Sequence, residues 1–541
     1  MQEKNLLNKK AFYINLLLSF LTVLLFSFSF PSPSISFLAW IALVPWFIII
    51  SSGYKVGLFS YIIGASFFTL NLSWLRFVTY PGWLLLSLYL AAYLLVFGVI
   101  SHYLRKRLKL PHIIIAPFAW VALEYLRSFP LSGFPWFFMG HSQYLNLPLI
   151  QFADITGVYG VSFLIIIFNA AIADLIGQSL VRGKFKLGID SIIFFERKRN
   201  VYCFTITIPI LLLCLALFYG YFNLKSYKSL QDGPNVCVVQ GNIPQSIKIN
   251  PDEKQQEEIL TKYVNLSLKN TEEDTDLIIW PETMVPGILN IDPEILDRKI
   301  DRLSKDSIQK LADITSANLL VGGTAIDVNN KYPLYFNTAF YYDRKGKLVD
   351  RYDKIYLVPF GEFIPFEKYL RFLGHLVPYE VSLSSGKRRT IFKLYTEKTD
   401  KVFRFGVIIC YEDTVASLVR KFRKNGVDFM VNITNDAWFC DSSELDQHLA
   451  IMVFRAIENR ICITRAANTG ISSFVAPSGE IYDYLVRNGK YREIDGVLHN
   501  KIRFVNTTNT WYTNYGDVFA ISCLLATTVL LLITVTRRIF T

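Results

Sequence analysis

The sequence predicts two architectures in one chain: an α-helical membrane bundle of eight transmembrane helices and a soluble α/β domain inserted before the last helix. Three observations predict it. Apolar residues fill 52% of the 541 positions and are concentrated at the two ends of the chain. Runs there are long enough to cross a bilayer as helices. The middle instead switches to short β-rich runs separated by charged amphipathic stretches. A mean hydropathy of +0.32 is too high for an ordinary soluble protein. The length suffices for a bundle and one sizeable domain, each with its own interior. The expected division is 1–230, 231–512 and 513–541.

Taken in order, the apolar runs lie near 11–30, 35–51, 56–78, 82–104, 111–127, 158–177, 201–224 and 518–536. The first follows Lys4, Lys9 and Lys10, as a secretory signal peptide would. However, the segment SFSFPSPS lacks a small-x-small cleavage pattern and another span follows at once. Basic residues set the orientation, because Lys and Arg stay in short cytoplasmic loops. They gather at the N-terminus, at Lys55, in RKRLK at 105–109, from Arg182 to Arg199, and at Arg537 and Arg538. With eight spans these all fall on one side. The loop 31–34 carries none, and 128–157 has none after Arg127. The N-terminus is therefore expected inside and residues 225–515 outside, Lys225 and Lys228 being a small exception. The net charge of +12 thus has a topological origin, and its clusters follow no groove or helix face that would suit nucleic acid.

The outer loop 128–157 contains PLSGFPWFFMG. Its aromatics fit an interfacial belt or a lipid entrance formed by Trp136 and its neighbours. Glu124 and Arg127, three apart on one helix face, are a structural or a functional ion pair. Of the seven cysteines, Cys203, Cys214 and Cys523 lie in spans and Cys237, Cys410, Cys440 and Cys462 in the soluble part. No spacing resembles a metal site or a disulfide framework, so neither metal nor cofactor is expected.

In the soluble part VCVVQGNIP, DLIIWPE, ANLLVGGTA, YFNTAFYYD, FRFGVIICYE, VDFMVNITND, RICITRAANTG and SSFVAPSGEI read as strands. The stretches 252–270, 296–316 and 444–459 read as helices, giving a layered α/β domain. Cys410 ends the apolar run GVII, Glu282 follows DLIIWP, and Lys354 precedes LVPFGEFIPF. Each position alone is unremarkable: a core thiol, a turn carboxylate, a solvated lysine. Their chemistry fits together. A thiol with pKa of about 8.5 needs a base and a nearby cation to act as a nucleophile. Glu282 would take the proton. Lys354 would favour the thiolate and, with the backbone N–H of Tyr411, stabilise an oxyanion. Of the six histidines only His448 is near in sequence, so a Cys–His dyad is the weaker alternative.

The order WPE, DKIYLVPFGEFIP, CYED, NDAWF closely resembles the nitrilase superfamily, whose Glu, Lys and Cys positions match Glu282, Lys354 and Cys410. With VQGNIPQ, QHL, RAANTG, GFPW around Trp136 and the flanking spans, the whole chain resembles the apolipoprotein N-acyltransferase family. That resemblance implies an αββα sandwich facing the periplasm from a bacterial inner membrane. It implies a two-step transfer of an acyl chain from a phospholipid, through a thioester on Cys410, to the α-amine of a diacylated lipoprotein. Glu362 would hold the lysine, Tyr411 and Glu412 would support the site, and Trp136 and Trp438 would stand at the substrate entrance. Both substrates are amphiphiles of the outer leaflet, which suits a domain held at the surface by spans.

Two positions depart from the family. SIKIN, with Ile249, replaces a usual tryptophan, and Cys440 stands where glycine is usual. The loops around 361–385, rich in aromatics, Gly and Pro, suggest an amphipathic flap. Two other readings are a membrane-tethered amidase or nitrilase that passes its acyl group to water, and a transporter or scaffold with an inactive domain. The transporter would require intramembrane charges in several spans, whereas only a few, such as Arg76 and Glu124, are visible.

Overall fold

The structure, a computed structural model, describes residues 2–181, 199–227, 230–328, 332–364, 382–505 and 509–540. They divide into two compact units, Met1–Lys225 with Tyr515–Thr541, and Ser226–Asn514.

The first unit is helical: α1 Gln2–Phe28, α2 Val44–Ser52, α3 Val56–Asn71, α4 Tyr80–Leu108, α5 His112–Leu126, α6 Val158–Val181, α7 Arg199–Ser226 and a C-terminal helix Val518–Phe540. Five stretches are long and apolar enough to cross a membrane: Asn8–Phe28, Tyr80–Leu108, Val158–Gln178, Phe204–Ser226 and Val518–Thr536. The other three expected spans are shorter helices of 9, 16 and 15 residues. At about 1.5 Å per residue the longest of these reaches roughly 24 Å, less than a hydrocarbon core of about 30 Å. Among the described residues, five helices are thus candidate spans by length and composition, and the other three expected spans are shorter apolar helices. Local chemistry explains the shortening. A 3₁₀ turn, Ser36–Trp40, and Pro45 start α2 late, and Gly53 in the left-handed region stops it.

Arg105, from the basic RKRLK run, is buried and pairs with Asp174 at 3.1 Å. Asp174 also accepts from the backbone N–H groups of His112 and Ile113 at 3.1 and 3.0 Å, capping α5 at its positive end. The basic residue therefore also serves packing, and Asp174 is a charge that the apolar run around it conceals.

The second unit contains two six-stranded sheets, ordered β12-β1-β2-β3-β4-β5 and β11-β10-β9-β8-β7-β6. The strands are β1 Gln231–Gln240, β2 Leu277–Ile279, β3 Asn318–Asp327, β4 Leu334–Tyr342, β5 Leu348–Asp353, β6 Ile391–Thr396, β7 Lys401–Ile409, β8 Phe429–Thr434, β9 Cys462–Ala467, β10 Ser473–Val475, β11 Ile481–Tyr484 and β12 Gly496–Phe504. Strands β1, β2 and β3 are parallel, as are β7, β8 and β9. The sheets pack face to face between helix pairs α8 Glu253–Asn270 with α9 Lys299–Thr315, and α10 Ala416–Lys424 with α11 Glu444–Asn459. Helix α8 starts at a capping box formed by Asp252 and Gln255. Its apolar face, with Ile259, Leu260 and Tyr263, joins a core shared with Trp280, Ile308 and Phe340.

Candidate active site

Parallel strands that end together bring the residues just beyond them to one edge. Cys410, Asn435 and Asn468 follow β7, β8 and β9 in this way, Asn435 level with Asn468 and Cys410 one position earlier. From the other sheet, β2 leads through Trp280 and Pro281 to Glu282, while β5 ends at Lys354, whose backbone N–H donates to the Asn337 carbonyl of β4 at 2.8 Å. A close approach fixes Glu282: a Cβ on Gly322 of β3 would lie 2.2 Å from the Pro281 carbonyl oxygen.

Glu282, Lys354 and Glu362 are buried and adjacent. Lys354 Nζ lies 2.9 Å from Glu362 Oε1 and 3.5 Å from Glu282 Oε1. Burial alone would pull this ammonium down, but Glu362, Glu282 and Cys410 together hold it well above the ordinary lysine range. Glu282 Oε2 accepts from the Asn435 backbone N–H at 2.8 Å, and Glu362 Oε2 from that of Val358 at 2.9 Å.

Half-buried Cys410 opens a 3₁₀ turn, Cys410–Thr414, with φ of +51°. A non-glycine residue held there is strained, a common feature of functional positions. Burial, and then the charge of Glu282, push the thiol well above its ordinary range, and Lys354 offsets only part of this.

Glu412 is fully buried and organises the backbone around Cys410. It accepts from the N–H groups of Ile355, Tyr356 and Ile409 at 2.7, 3.0 and 2.8 Å and from the Tyr352 hydroxyl at 2.9 Å. Burial pushes its carboxyl up to about 7 against the pull of these donors. Tyr411 is buried beside it.

His448 is committed elsewhere. Its Nε2 lies 2.8 Å from Asp413 Oδ1 and its Nδ1 2.7 Å from Arg465 Nη2. Nδ1 also faces Glu444 Oε1 and Asp436 Oδ1 at 3.3 and 3.4 Å. Burial and Arg465 pull the ring down, but Asp413 and Asp436 hold it well above the ordinary histidine range. A Cys–His dyad would need one of these nitrogens. Asp436, Glu444 and His448 stand close enough to share a cation, but Arg465 already donates to Asp436 Oδ2 at 2.9 Å and supplies positive charge there.

Uncharged amides form the part of the site that sequence reasoning missed. Asn337 Nδ2 donates to Glu282 Oε1 and Glu362 Oε1 at 2.6 and 3.1 Å. Asn468 Nδ2 donates to the Ile243 carbonyl and Asn435 Oδ1 at 2.8 and 2.9 Å, and Asn435 Nδ2 to Gln245 Oε1 at 3.0 Å. These bonds join VQGNIPQ, NDAWF and RAANTG, so the signal lay in motifs that had been noted without a role. Lys248 donates to Thr283 Oγ1 at 2.9 Å, and burial lowers its ammonium to about 7 although Glu282 pulls it back.

Ile249 is exposed. Cys440 is also exposed, at φ +53°, a conformation that explains why glycine is usual there. Trp438 is half-exposed on the turn Asp436–Phe439. Trp136, in the first unit, is buried against Trp74 and Phe134, and its carbonyl accepts from Arg127 Nη2 at 2.8 Å. Arg127 also lies over the Phe138 ring, while Glu124 accepts from Trp120 Nε1 and the Met139 N–H, both at 2.7 Å. The proposed ion partners thus each hold down the 128–157 loop through other contacts. Of the suggested flap, 365–381 lie outside the described residues.

Residues 23–171 match the family described as Apolipoprotein N-acyltransferase N-terminal domain, and residues 235–496 match Carbon-nitrogen hydrolase. The chain is 35% identical to an apolipoprotein N-acyltransferase of Geobacter metallireducens, over 94% of this chain and 92% of that protein. It is 31% identical to one from Pasteurella multocida, over 79% and 78%. An amidase structure from Nesterenkonia sp. is similar to 50% of this chain and 91% of its own, with 14% identity and a TM-score of 0.36. Membrane-type helices, a two-sheet α/β unit and near full-length similarity agree: the chain belongs to the apolipoprotein N-acyltransferase family of enzymes.

Proposed function

We propose that the protein takes a fatty acyl chain from a phospholipid onto Cys410 as a thioester, then passes it to the α-amine of an N-terminal diacylglyceryl-cysteine on a lipoprotein. The observation that carries this reading is the meeting of Glu282 and Glu362 on buried Lys354, with the Cys410 thiol under the opposing pulls of Glu282 and Lys354. That arrangement suits general-base attack more than a standing thiolate.

In the first step Glu282 accepts the Cys410 proton as sulfur attacks the ester carbonyl. Lys354 and the Tyr411 backbone N–H stabilise the oxyanion, help worth ~3 to 4 kcal/mol per donor. The C–O bond then breaks, and the leaving oxygen takes the proton back from Glu282 to give a lysophospholipid. In the second step the amine attacks the thioester, Glu282 accepts its proton, and the C–S bond breaks. The departing sulfur recovers that proton and an amide remains. Glu362 fixes the lysine, and Tyr411 and Glu412 support the turn that presents the thiol.

The reading extends to the membrane. Five long and three shorter apolar helices are compatible with eight crossings in a bacterial inner membrane. Residues 1–230 and 513–541 would then embed in it, with 231–512 in the periplasm. Mass spectrometry of the detergent-purified protein, first with phospholipid and then with a diacylated lipopeptide, tests the scheme. The expected result is an acyl mass on Cys410 that moves to the peptide amine and never forms in Cys410→Ala. An acyl mass on that variant would remove Cys410 as nucleophile, and loss of the acyl group only to water would make the protein a hydrolase.

A further inference from the structure

Three charged groups of the site meet at a residue that carries no charge. Asn337 is buried on β4. Its Nδ2 reaches Glu282 Oε1 at 2.6 Å and Glu362 Oε1 at 3.1 Å, and its carbonyl holds the Lys354 N–H at 2.8 Å. Its own Oδ1 is buried with no hydrogen-bond partner. A primary amide has two N–H donors and one carbonyl acceptor, so both donors here are committed to carboxylates. Turning the amide over would set Oδ1 against two carboxylate oxygens, which fixes its orientation. An unsatisfied buried oxygen is unfavourable for stability. The compensation therefore lies in the two N–H contacts.

Two carboxylates this close repel, and a single ammonium must serve both. Lys354 sits nearer to Glu362 than to Glu282, at 2.9 against 3.5 Å. Asn337 gives Glu282 a second donor on the oxygen that faces Lys354, while Asn435 holds the other oxygen at 2.8 Å. Glu282 is thus held by both oxygens without closing fully onto the lysine.

We propose that Asn337 is a positioning residue that holds the Glu282 base apart from Lys354, leaving the ammonium to Glu362 and the developing oxyanion. This rests on the reading of Glu282 as the base. The charged and titratable groups around Glu282 are Lys354 at the end of β5, Glu362 beyond it, Cys410 at the end of β7 and Lys248 after β1. None of them changes in Asn337→Ala, so a shift in the base there is attributable to the amide, whereas Asn337→Asp adds a carboxylate of its own and should shift it further.

The test is the rate of acyl-enzyme formation against pH for the full-length protein in detergent, comparing wild type, Asn337→Ala, Asn337→Asp and Glu282→Gln. Asn337→Asp keeps the shape while replacing the donors, which guards against a merely unfolded variant. Loss of a hydrogen bond to a charged group should slow acylation about ten- to hundredfold. It should also move the acid limb up by about one pH unit in Asn337→Ala, and further in Asn337→Asp. A purely structural role would lower the amount of active protein without moving the limb. A wild-type limb in both Asn337 variants, with Glu282→Gln inactive, would overturn the proposal and leave the base assignment standing. Acylation by Glu282→Gln with an unchanged limb would instead remove Glu282 as base, and the proposal with it.

Discussion

At Cys410 two neighbours act in opposite directions: Glu282 raises the thiol and Lys354 lowers it. The sign gives an outcome that separates reactivity from catalysis. The thiolate fraction rises with pH, and Glu282→Gln removes a negative charge, so iodoacetamide should modify Cys410 several-fold faster in that variant at pH 8 while acyl transfer is lost. Lys354→Met should do the reverse and slow alkylation. Equal rates in all three proteins would show that neither group controls the thiol. Glu282, Lys354 and Cys410 were legible because each is a reactive type standing next to an apolar run, whereas Glu362, inside LVPFGEFIPF, was legible only through the family resemblance. Asn337 was not, because a neutral polar residue inside YFNTAFYYD reads as one more strand position. Asn435 escaped for a different reason: its backbone N–H, which no side-chain chemistry announces, is what contacts Glu282.

The elements follow the same logic of surroundings. All eight strands read from the sequence are present, and the four that were not read, β5, β6, β11 and β12, are the edges of the two sheets. Central strands are apolar on both faces, whereas edge strands carry charge that discourages pairing with other chains. In β5 the residues Asp350, Arg351 and Asp353 mask the pattern, and in β12 Lys501 and Arg503 do so. Hydropathy likewise located the shorter membrane helices but not their lengths, which Pro45 and Gly53 decide at α2. The approach of β3 to the turn carrying Glu282 makes an element-scale prediction. A Cβ at Gly322 would meet the Pro281 carbonyl oxygen, Thr283 N and Glu282 Cα at 2.2, 2.7 and 2.8 Å, all backbone atoms that cannot rotate away. Gly322→Ala should therefore destabilise the unit by at least about 1 to 3 kcal/mol in thermal unfolding and reduce acylation further by moving the base.

For the whole molecule, the positions of basic residues argue that the second unit faces outward. Exposed Cys440 offers a direct readout. A membrane-impermeant maleimide should label it in intact spheroplasts, and Cys440→Ser should lose most of that label; labelling only after lysis would reverse the orientation. One feature of the sheets reaches further. Glu282 belongs to the first sheet and Asn435, which grips it, to the second, so base and thiol meet only when both sheets have formed. The strand that closes the first sheet beside β1 is β12, Gly496–Phe504. The grip of Asn435 on Glu282 thus leans on a strand more than two hundred residues beyond the carboxylate, and removing that strand would strip β1 of its outer neighbour without touching a single residue of the site.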